Sequence, residues 1–152
     1  MRFGIALASL LACSSAALAR EPVQVWLDPG FLSYHFSEGN YRQDNYGVGV
    51  GVFASPEHGF IAGTFLNSND ERSHYGAYHW RPWYWNPAGI DVRAGLVLGL
   101  IDGYSNTNNG HWFPIILPTL SAEYGRFGVN FSFVPHPNNG SALALQLRFR
   151  VW

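Results

Sequence analysis

Residues 47–53, with the sequence GVGVGVF, alternate the smallest side chain with a β-branched apolar one. Successive side chains of a β-strand point to opposite faces of the sheet. One face of this segment therefore carries Val48, Val50 and Val52, and the other carries only backbone. The pattern predicts a strand whose valine face suits hydrocarbon and whose glycine face leaves space beside it.

Period-two alternation recurs along most of the chain and predicts further strands with one apolar face. In 142–152, for example, Leu143 and Leu145 lie on one face and Arg148 on the other. The eight predicted strands are 23–36, 46–53, 59–67, 75–85, 91–101, 113–124, 127–134 and 142–152.

The connections between these strands are of two kinds. Short ones that contain Pro or Gly lie near 54–58, 86–90 and 125–126. Longer polar ones lie near 37–45, 68–74, 102–112 and 135–141. Short turns at one end, long loops at the other and an even number of strands are typical of bacterial outer-membrane barrels.

The composition also favours a membrane barrel. Charged residues make up 12% of the chain and aromatic residues 16%, whereas soluble domains carry about 25% charged residues. The longest apolar run after the N-terminal segment, 95–101, is far shorter than the ~20 residues of a spanning helix. We predict an all-β fold, an eight-stranded antiparallel transmembrane β-barrel of the bacterial outer membrane.

A secreted soluble barrel or sandwich is the alternative fold. It would carry its charged residues on the outward face of each strand. Here Arg93, Asn130 and Arg148 share faces with Gly, Ala and Ser, and the opposite faces are uniformly apolar. This distribution favours a polar interior and an apolar exterior.

The N-terminus resembles a secretory signal peptide, with basic Arg2, an apolar run and the small residues Ala17 and Ala19 before a cleavage site. We predict a signal peptide over 1–19 and a single β-barrel domain over 20–152. Lipoprotein cleavage at Cys13 is the alternative. The predicted location is the outer membrane.

Several kinds of partner are excluded or not expected. The formal net charge is −1, so no nucleic-acid-binding face is predicted. The six histidines have no zinc-site spacing, and Gly-rich phosphate loops are missing from the sequence. We therefore expect no cofactor and no metal.

Glycines on the predicted inward faces suggest an internal slot the width of one acyl chain. An eight-stranded barrel is otherwise filled by its own side chains, and large inward residues such as Phe65 or Val97 are the alternative occupants. The predicted slot-lining residues are Gly47, Gly49, Gly51, Gly95 and Gly99.

Three polar residues are predicted to meet at the external rim. His35 ends the first strand, and Asn67 and Ser68 end the third. Both strands lead into long loops, so these side chains emerge at the same end of the barrel. An imidazole, an amide and a hydroxyl together suit acyl transfer, in which His accepts a proton from an attacking hydroxyl.

At these residues the sequence resembles the lipid A palmitoyltransferases of the PagP type, from about residue 29 onward. The motifs that carry the resemblance are Asn40-Tyr41 running on to Gly47, Trp80-Arg81-Pro82, FPIILPTLSAEYG over 113–125, Val134-Pro135, Asn138-Asn139-Gly140 and Arg148-Phe149. The resemblance implies an eight-stranded outer-membrane barrel that transfers a fatty acyl chain, palmitoyl in that family, from a glycerophospholipid donor to a hydroxyl of lipid A.

The resemblance also implies residue roles. The family's catalytic His corresponds to His35, and its adjacent Asp-Ser corresponds to Asn67-Ser68, so the serine matches and the aspartate does not. An Asn cannot accept a proton, although it can orient a ring or donate to an oxyanion. The family's prolines open lateral gates for lipid, and the matching residues are Pro29, Pro114, Pro118 and Pro135.

Some expectations stay open at the level of sequence. The family's glycine that sets acyl length falls near Tyr75 or Gly76, and a Tyr there would shorten the slot. We expect a monomer. The alternative functions are a non-catalytic small outer-membrane barrel, acting in adhesion or membrane integrity, and a lipid A acyl hydrolase.

Overall fold

A computed structural model describes residues 22–135 and 141–152. The predicted signal peptide 1–19, Cys13 and the motif at 138–140 lie outside these residues. The described chain forms eight strands: β1 (Gln24–His35), β2 (Asp44–Ser55), β3 (His58–Leu66), β4 (Arg72–Trp85), β5 (Asp91–Ile101), β6 (Phe113–Tyr124), β7 (Phe127–Val134) and β8 (Ala142–Arg150). Each strand pairs antiparallel with its neighbours, and β8 pairs with β1, so the sheet is a closed barrel.

The predicted fold class and the predicted faces are confirmed. On β2 the side chains of Val48, Val50 and Val52 are exposed, while Gly49 and Gly51 are buried. Period-two alternation predicted which side chains are exposed, because one face of each strand lines the interior and the other face points outward.

The connections divide the barrel into two ends. The two-residue turns 56–57 and 125–126 and the 86–90 connection lie at the end that holds the chain's first and last strand residues, which we call the terminal end. The longer connections 36–43, 67–71 and 102–112 lie at the opposite end, where β7 ends and β8 begins, and which we call the loop end. This alternation follows the prediction.

Within 22–135 and 141–152, helix is confined to two single 3-10 turns, Pro87–Gly89 and Asn108–Gly110. In the part of the chain that the structure describes, no helix is long and apolar enough to cross a membrane.

Charged and aromatic side chains fill the terminal half of the interior. Arg81 is fully buried and forms an ion pair with Glu123, and Arg148 Nη1 lies 3.6 Å from the same carboxylate. The Arg81 guanidinium lies 4.2 Å from the centre of the Phe53 ring, and that of Arg148 lies 4.6 Å from Trp26. Ion pairing and cation–π contacts compensate the loss of water around these buried charges.

The outer wall is apolar, with exposed aromatic side chains near both ends. Those near the loop end are Tyr34, Tyr46, Trp112 and Phe133, and those near the terminal end are Trp83, Trp85, Tyr124 and Phe127. Aliphatic side chains such as Val50 and Leu98 lie between them. An apolar band between two aromatic girdles is consistent with an outer-membrane barrel.

Strand pairing is interrupted at two seams. Within the described residues, β6 pairs with β7 only from Thr119 to Tyr124, so the loop-end half of β6, 113–118, pairs with β5 alone. The β1–β8 ladder is broken between Leu27 and Leu32, and the β1–β2 register shifts in the same region. Both interruptions weaken the lateral closure of the barrel.

Candidate active site

His35 and Ser68 meet at the loop end. His35 is the last residue of β1, Ser68 lies in the 67–71 loop, and the distance between His35 Nε2 and Ser68 Oγ is 2.9 Å. Both side chains are half-buried. An imidazole nitrogen within hydrogen-bond distance of a serine hydroxyl is the arrangement of a general base and a nucleophile. The sequence placed both residues at this rim, and the structure brings them together.

A second hydroxyl faces the same imidazole nitrogen. Ser33 precedes His35 by two positions on the same inward face of β1, and its Oγ lies 3.5 Å from His35 Nε2. Ser33 donates its single hydrogen to Asn45 Oδ1, 2.7 Å away, and the Arg42 carbonyl at 3.2 Å is the other acceptor within reach. Either bond turns that hydrogen away from His35, so Ser33 presents a lone pair to Nε2.

Asn45 fixes this arrangement from β2. Its Nδ2 donates to the carbonyl of Leu66 at 2.8 Å, so its Oδ1 is the atom that faces Ser33. Asn45 is 1% exposed. An acceptor directed at Nε2 stabilises the imidazole when that nitrogen carries a proton, which is the state a general base reaches during reaction.

Asn67 is fully buried and shapes the loop that carries Ser68. Its Nδ2 donates to Ser73 Oγ at 3.0 Å and to the Gly103 carbonyl at 2.8 Å. Its Oδ1 accepts from the backbone N–H groups of Asn69 at 2.9 Å and Glu71 at 3.1 Å. Both ends of the amide are therefore used to hold the 67–71 loop against the 102–112 loop.

Further contacts connect the loops around the site. Arg42 donates its backbone N–H to the Ser68 carbonyl at 3.0 Å and its Nε to Asp70 at 2.6 Å. The hydrogen bond to Asp70 raises the pKa of Arg42. Glu71 accepts from the Ser105 backbone N–H at 2.9 Å, and this bond lowers the pKa of Glu71. These contacts position Ser68 relative to His35.

The sequence is similar to that of one known lipid A acyltransferase. No protein-family model matches the chain. The chain is 31% identical over 118 residues to a protein of Laribacter hongkongensis (strain HLHK9) described as "Lipid A acyltransferase PagP", a match that covers 73% of this chain and 55% of that protein. Over that range the chain is similar to a PagP-type protein. It spans about half the length of the curated relative it matches.

Three aromatic rings occupy the interior between the site and the middle of the barrel. Phe31 and Phe65 pack edge to face with ring centres 4.7 Å apart. The centre of the Tyr75 ring lies 6.1 Å from that of Phe65, on the side of the terminal end. The Tyr75 side chain points inward and Gly76 points outward, so Tyr75 is the one of the two that faces the interior. Gly63, the pairing partner of Tyr75, precedes Ser68 by five residues, or about 16 Å along an extended chain.

The five glycines proposed to line a slot have close neighbours. A Cβ built on any of them would meet another atom within 3.0 Å. Backbone and Cβ atoms of the adjacent strand approach Gly47, Gly95 and Gly99, the Tyr75 hydroxyl and the Asp28 carboxylate face Gly49, and Phe53 faces Gly51. These glycines admit close packing and do not bound open space here. The slot stays a prediction.

Three of the four predicted gate prolines lie where strand pairing is interrupted. Pro114 and Pro118 lie in the half of β6 that has no β7 partner among the described residues, and Pro29 lies within the break between β1 and β8. Pro135 follows the last residue of β7. Proline lacks the N–H that a ladder requires, which accounts for these interruptions.

Sequence reasoning missed Ser33, Asn45, Tyr41 and Arg42 as neighbours of the site. The Tyr41 ring stacks on His35 with centres 4.3 Å apart. Ser33 could have been found, because residues i and i+2 of a strand share a face. The other three belong to the β1–β2 loop or to β2, and their approach to His35 depends on the folded loop.

Proposed function

We propose that this chain is an outer-membrane acyltransferase that moves a fatty acyl chain from a glycerophospholipid to a hydroxyl of lipid A. The 2.9 Å contact between His35 Nε2 and Ser68 Oγ, at one rim of a closed barrel, carries the proposal. The relative described as a lipid A acyltransferase supports it. The donor, the acceptor and the acyl length are part of the proposal.

In this proposal the apolar wall of the barrel spans the outer membrane, with the loop end outside. Long loops lie on the external side of such barrels and short turns on the periplasmic side. The reactive pair then lies at the level of the outer-leaflet headgroups, where lipid A and its hydroxyls are found. The pairing of β8 with β1 leaves no terminal strand for another copy to extend, and we propose that the chain acts as a monomer.

The reaction exchanges one ester for another and requires no cofactor. In the direct route, His35 Nε2 accepts the proton of the lipid A hydroxyl as its oxygen attacks the donor ester carbonyl. The lysophospholipid alkoxide then leaves and takes that proton from His35. In the two-step route, Ser68 attacks first and carries the acyl group as an ester before lipid A receives it, with the same nitrogen carrying the proton each time.

Ser33 and Asn67 support these steps in different ways. Ser33 accepts a hydrogen bond from the protonated Nε2 and so stabilises the imidazolium. Asn67 acts as a positioning residue, because its amide holds the loop on which Ser68 lies. On this view the departure from the family's Asp-Ser pair changes how the base is supported and leaves the reactive pair in place.

The acyl chain of the donor takes the loop-end half of the interior, above Tyr75. Access requires the Phe31 and Phe65 rings to rotate aside, and the unpaired half of β6 gives a lateral route from the membrane. With Tyr75 as floor, the slot is short. Pocket depth then selects chain length, because an acyl chain offers no polar group for recognition.

The mass spectrum of lipid A from cells that express the protein tests the function. We expect lipid A to gain the mass of one fatty acyl group, and we expect no gain with His35→Ala. The matched control is His58→Ala, a histidine at the terminal end that contacts the Tyr78 hydroxyl. A mass loss would indicate an acyl hydrolase, and an unchanged spectrum from folded protein would indicate a non-catalytic barrel.

A further inference from the structure

A polar pocket lies directly beside the reactive pair. Its volume is about 200 Å³, and its lining residues are Asn40, Tyr41, Arg42, Asp44 and Asp70. Tyr41 stacks on the His35 ring, and the backbone N–H of Arg42 donates to the Ser68 carbonyl. One wall of the pocket is therefore in contact with both reactive residues. A molecule bound there would be separated from His35 and Ser68 only by Tyr41 and Arg42.

The charged groups of the pocket carry two negative charges and one positive charge. Arg42 donates Nε to Asp70 Oδ1 at 2.6 Å and Nη1 to Asp44 Oδ1 at 3.3 Å. The Arg42 side chain is 22% exposed, whereas those of Asp44 and Asp70 are 51% and 70% exposed. The carboxylates, and not the guanidinium, are the charged groups most accessible to a ligand.

The excess of carboxylates over guanidinium groups favours ligands that donate hydrogen bonds over anionic ligands. A phosphate group would meet two carboxylates and a guanidinium that both of them already neutralise, so its binding is disfavoured. Hydroxyl groups are donors, and each carboxylate has about four lone-pair sites, so Asp70 can accept further hydrogen bonds while paired to Arg42. The Asn40 amide can both donate and accept, and Tyr41 offers an aromatic surface for C–H groups.

We infer that this pocket binds one sugar ring of the acceptor through its hydroxyl groups. The inference rests on the proposed function and makes it more specific, since it assigns the acceptor's hexosamine unit, and not its phosphates, to the pocket. The size of the pocket suits a single ring. A ring held by Asp70 and Asn40 brings an adjacent hydroxyl toward His35 Nε2, which supplies the orientation that acyl transfer between two lipids requires.

Binding of a soluble probe tests the inference without any acyl transfer. The probe is the β-1,6-linked glucosamine disaccharide without acyl chains, added to the full-length barrel in detergent micelles and followed by NMR. We expect chemical-shift changes at the amides of Tyr41, Arg42 and Asp70. We expect affinity about tenfold weaker in Asp70→Asn, since hydrogen bonds to a charged carboxylate are replaced by weaker ones to a neutral amide. The control is Asp102→Asn, a loop-end carboxylate outside the pocket that accepts from the His74 backbone.

A second measurement tests whether Asp70→Asn weakens binding of the acceptor, lipid A. In Asp70→Asn we expect the KM for lipid A to rise about tenfold, while the KM for the phospholipid donor stays unchanged. Equal disaccharide binding by Asp70→Asn and the wild type would overturn the inference. Tenfold tighter binding of a phosphorylated disaccharide would also overturn it. If the disaccharide binds as expected but no transfer occurs, the proposed function fails and the sugar site stands.

Discussion

The Tyr75 side chain occupies the space beside Gly49 on the inner wall. A Cβ at position 49 would collide with the Tyr75 hydroxyl and with the Asp28 carboxylate, and one at Gly63 would lie 2.7 Å from the same hydroxyl. The two glycines therefore accommodate a tyrosine that crosses the barrel. They leave space, as the alternation of Gly49 with valine predicts for β2, and an aromatic ring fills that space.

Tyr75→Gly tests whether this ring sets the acyl length. Removing the ring joins the space beside Gly49 and Gly63 to the loop-end interior, so we expect transfer of longer acyl chains than in the wild type. Competition between phospholipid donors of different chain lengths, read by lipid A mass, measures the change. Tyr75→Phe keeps the ring and should keep the wild-type length. An unchanged length in Tyr75→Gly would show that Tyr75 is not the floor.

His35→Phe tests the base while it keeps an aromatic ring against Tyr41. We expect the rate of acyl transfer to fall by a factor of about 10²–10⁴, the usual contribution of a positioned general base. The rate is measured with purified protein in micelles, and the melting temperature is measured on the same sample. Near wild-type transfer by His35→Phe would contradict a proton-accepting role.

Ser68→Ala distinguishes the two chemical routes. The two-step route requires an acyl ester on Ser68 Oγ, so wild-type protein incubated with donor alone should gain the mass of one acyl group, and Ser68→Ala should not. In the direct route neither protein gains mass, and Ser68→Ala keeps part of the transfer rate. Intact-protein mass spectrometry gives the first readout and lipid A mass gives the second.

Ser33→Ala tests the acceptor that faces His35 Nε2. A hydrogen bond from a charged imidazolium contributes about 1.5–3 kcal/mol, so we expect kcat to fall by about tenfold or more with the KM for the donor unchanged. Ser33→Thr keeps the hydroxyl and should restore kcat. Ser132→Ala, on the inner wall of β7, is the control for loss of an inward hydroxyl. A rise in KM alone would mean that Ser33 shapes the donor site.

The sequence predicted the barrel more completely than the site, and the reason is physical. Strand faces follow from the two-residue period, so Val48 and Leu143 indicate the exterior wherever the fold places them. The rim positions of His35 and Ser68 follow from strand order. The stack of Tyr41 on His35 and the Asn45–Ser33 bond could not be predicted, because they depend on how the loops fold against one another.

Asn67→Asp tests the loop role of Asn67 by restoring the residue type of the family. A carboxylate cannot donate to Ser73 Oγ or to the Gly103 carbonyl, and it would place negative charge against that carbonyl in a buried position. We expect a loss of stability of about 1–3 kcal/mol, faster hydrogen exchange over 67–71 and reduced transfer. Asn109→Asp, exposed in the 102–112 loop, is the control. Increased activity in Asn67→Asp would show that the family's carboxylate role is retained here.

Cross-linking across the β6–β7 seam tests whether lipid passes between these strands. Continuing the observed register beyond Thr119 and Ser132 places Leu117 opposite Val134, so cysteines at 117 and 134 can be joined by a short bifunctional thiol reagent with a reducible disulfide spacer. We expect the cross-link to stop acyl transfer and reduction to restore it, because donor lipid can no longer pass between the strands. Cysteines at 119 and 132, which are already paired partners, provide the matched control, and their cross-link should leave transfer intact. Full transfer by the cross-linked 117–134 protein would mean that the donor reaches the site by another route. The break around Pro29 between β1 and β8 would then be the next seam to cross-link.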